Sequence, residues 1–156
     1  MVIQHATDKA RSIAEAVPDP ELPVLTLGDL GIIRAVALSE AGVEVTITPT
    51  YSGCPAMSVI GMDISLALAE AGFGAVKIKT TLSPAWSTDW MSAEGRAKLQ
   101  AFGIAPPGPR DKDAPVICPS CGATNTSEIA HFGSTACKAL WRCNVCREPF
   151  DHFKCH

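Results

Sequence analysis

Two Cys-x-x-Cys pairs near the C-terminus, Cys118-Pro-Ser-Cys121 followed by Gly122 and Cys143-Asn-Val-Cys146, constrain this chain more than any other feature. A two-residue spacing lets a tight turn aim both sulfurs at one ion, and two such knuckles complete a tetrahedron of thiolates. Gly122 offers the permissive backbone that the first turn needs just past its second cysteine. The stretch between the pairs is long enough for a β-hairpin. So short a segment cannot rest on an apolar core alone, and metal binding contributes on the order of 10 kcal/mol in modules of this kind. Four thiolates leave no open position for a substrate, so the site is expected to be structural. Zinc is favoured, and iron in a rubredoxin-type centre is the alternative.

Seven cysteines in 156 residues, six of them after residue 117, also bear on the compartment. The count is odd, and the N-terminus has no basic segment followed by an apolar run. Metal binding in a reducing cytoplasm is therefore expected rather than a disulfide framework. No stretch is long and apolar enough to span a bilayer. A formal net charge of −3 offers no basic field for nucleic acid. From Val116 onward four cations (Lys138, Arg142, Arg147, Lys154) face three anions (Glu128, Glu148, Asp151), too weak a balance for a nucleic-acid ribbon. Cys137, Cys155, His131, His152 and His156 are left over. Cys137 reads as a small buried residue or a replacement ligand, and the histidines as surface or core residues. Trp141, Phe132, Phe150 and Phe153 are expected to fill the small core or dock on a partner.

The rest of the chain reads as an α+β domain, a small mixed β-sheet packed with helices. Thr7 is placed to cap a helix over residues 8–16, with Ala10, Ile13, Ala14 and Val17 on one face. Pro18, Pro20 and Pro23 bar regular structure in the loop that follows. Residues 31–38 and 43–48 read as a hairpin, 55–71 as a helix ended by Gly72, and 75–82 as a third strand. Ser92 is placed to cap a last helix to about Phe102. The expected division is a domain over 1–104, a proline-rich linker over 105–115 and a zinc-ribbon-like module over 116–156.

Gly53-Cys54-Pro55 places the remaining cysteine at or just before the start of the central helix. Backbone N–H groups and the helix dipole there would stabilise a thiolate and make it a better nucleophile or soft-metal ligand. Thr50, Tyr51 and Ser52 add hydroxyls, and the loop of Asp19 and Glu21 can approach the same end of the sheet. An ordinary buried cysteine explains the residue equally well on chemistry alone. No Ser-His-Asp spacing, phosphate loop or helical His pair is present, so the chain does not read as a catalyst in its own right.

Asp19-Pro-Glu21, residues 29–34 (Asp-Leu-Gly-Ile-Ile-Arg), residues 48–55 (Thr-Pro-Thr-Tyr-Ser-Gly-Cys-Pro), residues 83–86 (Ser-Pro-Ala-Trp) and Asp89-Trp-Met91 resemble the iron–sulfur assembly family that includes SufT-like proteins. With residues 132–135, 137–140 and 148–151, the whole chain resembles the D-type accessory family of bacterial phenylacetyl-CoA epoxidase systems, which serve aerobic phenylacetate degradation. The resemblance implies an accessory role in such a multicomponent monooxygenase, above all in maturation of the reductase's iron–sulfur cluster. It implies the reductase and oxygenase components as partners and a transiently held iron or iron–sulfur cluster. Cys54 corresponds to the cysteine of that family's Gly-Cys-Pro motif, with Asp19 and Glu21 in its acidic loop. A structural or coupling component that needs no reactive thiol is the alternative. Oligomeric state, a homo-oligomer included, is left open.

Overall fold

A computed structural model describes residues 1–51, 53–108 and 113–154 of the chain. They fall into two compact units, Met1–Ser92 and Ala93–His156. The division lies after Ser92, whereas the sequence suggested a boundary at 104. The last helix and the first residue of the expected linker belong to the second unit, because Ala105 is part of a strand there. Residues 109–112 of that linker lie outside the described residues. No helix among the described residues is long and apolar enough to cross a membrane.

The first unit holds α1 (Val2–Glu15), α2 (Leu27–Leu30), β1 (Ile33–Ser39), β2 (Gly42–Ile47), α3 (Met57–Glu70) and β3 (Val76–Thr80). The sheet runs β1-β2-β3, with β1 antiparallel and β3 parallel to the central β2. Alternation along β2 buries Val43, Val45 and Ile47, while Gly42, Glu44 and Thr46 stay half-buried. Ala10 and Ala14 of α1, and Ile60, Ile64 and Leu68 of α3, supply the helical side of this core. Val59, Met62 and Leu66 of the same helix are exposed. A 3.6-residue period cannot turn every apolar position of this helix inward.

Helix α1 begins well before the start that the capping argument implied. Thr7 lies inside it, and its hydroxyl donates back to the Ile3 carbonyl at 2.8 Å rather than capping an end. Helix α3 starts at Met57 rather than Pro55, so Pro55 precedes the first turn. It ends in a Schellman arrangement, with Gly72 N–H on the Ala69 carbonyl and Phe73 N–H on that of Leu68.

The segment after β3 closes over the α2–β1 turn through contacts that periodicity does not reveal. Thr26 and Asp29 form a reciprocal cap on α2. The buried Asp29 carboxylate also accepts the Ser92 hydroxyl at 3.1 Å. Trp86, 4% exposed, donates its indole N–H to the Leu30 carbonyl at 2.8 Å. A bulge in β1 between Ile33 and Ala35 makes Arg34 the extra residue, and its guanidinium lies 3.8 Å from the ring centre of Trp90. Gly31 makes the closure sterically feasible. Its φ is +72°, and a Cβ there would sit 2.4 Å from the Trp90 carbonyl oxygen.

The second unit holds α4 (Ala93–Ala101), β4 (Ile104–Ala105), β5 (Thr126–Ala130), β6 (Lys138–Cys143) and β7 (Pro149–Phe153). Its sheet runs β4-β7-β6-β5. The β5–β6 hairpin lies between the two knuckles, and β7 extends it on the far side. Phe150, Phe153, Ala139, Cys118 and Cys143 are buried, but Phe132 is 68% exposed and so is not core.

Gly31→Ala combines a left-handed backbone cost with a clash against main chain. We expect a loss of about 2–4 kcal/mol, read as a lower denaturation midpoint at unchanged m-value, and detachment of Trp86 and Trp90 seen in their fluorescence.

Candidate functional site

The four knuckle cysteines converge on one point. Their sulfurs all lie within 4.8 Å of one another, with Cys118 and Cys146 at 3.7 Å and Cys121 and Cys143 at 3.6 Å. Thiolates held about 2.3 Å from a central ion form a tetrahedron with edges of about 3.8 Å, so the donor set fits zinc or a similar four-coordinate ion. Among the described residues this is the one group of three or more Cys, His, Asp or Glu donors so gathered.

Local backbone explains the convergence. Gly122 N–H returns to the Cys118 carbonyl at 2.9 Å, and Cys118 N–H reaches the Ala123 carbonyl at 3.0 Å, closing the first knuckle. In the second, the N–H groups of Val145 and Cys146 both point at the Cys143 sulfur at 3.4 Å. The residue after each second cysteine is left-handed: Gly122 at φ +76° and Arg147 at φ +70°. The sequence announces this only at the glycine. At Arg147 an ordinary side chain takes the same conformation, at a cost of about 1–2 kcal/mol.

The knuckle N–H groups also shape the sulfurs' ionisation. The Cys146 N–H, joined by that of Val145, outweighs burial and draws the Cys143 thiol down to about 6. The Glu148 N–H lowers Cys146, but burial and the three neighbouring sulfurs push it up to about 12. One sulfur therefore ionises readily and a neighbour resists, which is how packed thiols behave before a cation collects their charge.

The remaining described C-terminal residues take no part in this set. Cys137 is buried, 3.0 Å from the Thr135 hydroxyl. His131 lies beside Glu128, and His152 packs edge-on against Trp141 with its pKa lowered by burial. Cys155 and His156 lie outside the described residues.

Glu21 and Asp19, on a separate loop, lie near enough to Cys54 for their carboxylates to act on its charge. Their chemistry differs from the expectation. Cys54 lies ahead of the first turn of α3 and is half-buried, and burial is the largest influence on it, raising its pKa. The Ala56 N–H and the Tyr51 hydroxyl pull the other way, while the carboxylates of Glu21 and Asp19 oppose ionisation. The N-terminal N–H groups thus lose to desolvation and negative charge, and the thiol is less ionised than a free cysteine. Ser52 lies outside the described residues.

Asp19 has a structural task. It is 8% exposed, and its Oδ1 accepts the N–H groups of Glu21 at 2.9 Å and Leu22 at 2.7 Å. With Asp19 N–H on the Leu25 carbonyl, these bonds fold the proline-rich loop where ladder bonds are unavailable. We expect Asp19→Ala to cost about 1.5–3 kcal/mol, while Asp19→Asn, which keeps an acceptor, costs clearly less. Equal losses in thermal denaturation would show that the charge rather than the turn matters.

Comparisons with known proteins agree with both units. Residues 105–154 match the model of the PaaD zinc beta ribbon domain. Residues 8–80 match that of iron–sulfur cluster assembly proteins. The chain is 47% identical over 148 residues to an Escherichia coli protein named as a putative 1,2-phenylacetyl-CoA epoxidase component of D type, covering 92% of this chain and 90% of that one. It is 40% identical over 99 residues to an Fe-S protein maturation auxiliary factor of Porphyromonas gingivalis, covering 62% of this chain and 92% of that one. The crystal structure of a DUF59 domain from Bacillus anthracis superposes with a TM-score of 0.59 at 27% identity, covering 64% of this chain and 95% of that one. A conserved hypothetical protein from Thermotoga maritima does so at 0.50 and 28% identity, covering 59% and 91%. With an iron–sulfur assembly-type α+β unit joined to a four-cysteine ribbon, the chain belongs to the PaaD family of phenylacetyl-CoA epoxidase components.

Proposed function

We propose that this protein is an accessory component of phenylacetyl-CoA epoxidation in phenylacetate catabolism, where it assists maturation of the reductase component's iron–sulfur cluster. What supports this reading is a half-buried cysteine with the Glu21 and Asp19 carboxylates near enough to act on its charge. Cys54 would serve as the thiolate ligand to iron, or to a cluster in transit, with Asp19 or Glu21 assisting. A raised thiol suits transient holding: incoming metal must displace a proton, so binding strengthens as pH rises, and release to a stronger acceptor is easy. The four-thiolate ribbon holds structural zinc in this reading, and cargo does not pass through it. The partners are the reductase and oxygenase components. Neither nucleic acid nor membrane is among them.

The test is the iron and acid-labile sulfide content of reductase produced with the wild-type protein, with Cys54→Ala, or with none. Wild type is expected to give full clusters, and Cys54→Ala roughly the content found without the protein. A full complement with Cys54→Ala would defeat this reading. One feature favours a coupling component without a reactive thiol, namely that burial and the nearby carboxylates raise the Cys54 pKa. That reading expects full clusters in every case and a stable stoichiometric complex with the oxygenase.

Metal analysis of the purified protein is expected to give one zinc per chain and no visible absorption. Stoichiometric iron with a charge-transfer band would overturn the zinc assignment.

A further inference from the structure

The four ligand cysteines are not equally sheltered. Cys118 and Cys143 are each 0% exposed. Cys146 is half-buried, and Cys121 is exposed. A structural site that only held a fold together would gain from covering all four. Here one ligand stands at the surface, and the sulfur facing it at 3.6 Å belongs to the other knuckle. Closing that gap to a disulfide of about 2.05 Å needs a movement of about 1.5 Å.

We infer that the four-thiolate centre is a redox-sensitive device, in which hydrogen peroxide oxidises Cys121 first and Cys143 then closes a disulfide on it, releasing the metal. The inference rests on the reading of this centre as a metal site. The Cys121 thiolate sulfur attacks one peroxide oxygen. The O–O bond breaks, hydroxide leaves and takes a proton to become water, and Cys121 becomes a sulfenic acid, oxidised by two electrons. The Cys143 thiolate then attacks the Cys121 sulfur. The S–S bond forms, the S–O bond breaks, and the second hydroxide leaves as water after taking a proton. Two thiolates, one peroxide and two protons yield one disulfide and two waters. Two of the four ligands are spent, and the ion loses its tetrahedron.

The fold is arranged to survive this step. The second knuckle is tied to the strand after the first independently of any ion. Asn144 N–H donates to the Asn125 carbonyl at 2.9 Å, and its side chain donates to Asn125 Oδ1 at 3.0 Å and Ser127 Oγ at 2.8 Å. A bridge between Cys121 and Cys143 adds a tie from the same second knuckle to the first, so the oxidised ribbon keeps the geometry needed to take the metal back on reduction. Among the described residues the other cysteines are poorer targets. Cys54 is half-buried, with carboxylates near enough to oppose its thiolate, and Cys137 is buried.

The experiment uses the intact, metal-loaded protein. It is exposed to stoichiometric hydrogen peroxide, with metal release followed by a chromophoric chelator, sulfenic acid trapped by dimedone and disulfides mapped by tandem mass spectrometry. We expect release about tenfold or more faster than without peroxide, dimedone on Cys121, and one metal freed per disulfide between Cys121 and Cys143. Dithiothreitol with added metal should restore the loaded state. First oxidation elsewhere with the metal retained, or a first bridge from Cys118 to Cys121 or to Cys146, overturns the proposal. Metal content is read beforehand. Iron in place of zinc overturns only the metal's identity, and the same mapping still decides the sulfur chemistry.

Discussion

The convergence of four sulfurs from two knuckles is the interaction on which the C-terminal unit depends. Its strands carry few large buried side chains, and two of its fully buried residues are themselves ligands, Cys118 and Cys143. Where an ordinary domain closes around aliphatic bulk, this one closes around a cation that must gather thiolate charge. The N–H groups aimed at Cys143 prepare that charge before any ion arrives. The left-handed residues after each knuckle let the chain turn back from the ion toward β5 and β7.

The N-terminal unit solves a different problem. It must hold an irregular, proline-rich loop and a cysteine-bearing loop in fixed positions without ladder hydrogen bonds. Asp19 does this for the first loop through main-chain N–H groups, and the Asp29, Trp86 and Arg34 contacts hold the segment after β3 over the α2–β1 turn. The residues through which the chain resembles its relatives are therefore largely fasteners. Cys54 and Glu21 stand where such a fastener is not their evident role.

The two sulfur environments also divide the chemistry. The ribbon gathers its thiols where backbone donors favour ionisation at one of them. The Cys54 loop places a single thiol where burial and carboxylates raise its pKa. A site that retains metal and a site that would receive and yield it call for these opposite settings.

Much of this was legible in the residues. The spacing of Cys118, Cys121, Cys143 and Cys146 determined the metal site, because two-residue knuckles have few other uses. The alternation of Val43, Val45 and Ile47 determined the central strand, and Gly72 the end of α3. Tertiary structure alone decided the rest. Thr7 was a cap by type but an interior residue by position, because α1 runs on through the exposed residues Val2 and Ile3 and the Thr7 hydroxyl bonds back to the Ile3 carbonyl. Ala105 looked like linker yet joined a sheet through a strand far along the chain. Cys54 looked activated from its place before a helix, but desolvation and the approach of Glu21 and Asp19 are long-range effects, and they outweigh the local N–H groups. Local spacing thus specifies which atoms meet along a few residues, whereas burial and charge at a site are set by segments that only folding brings near.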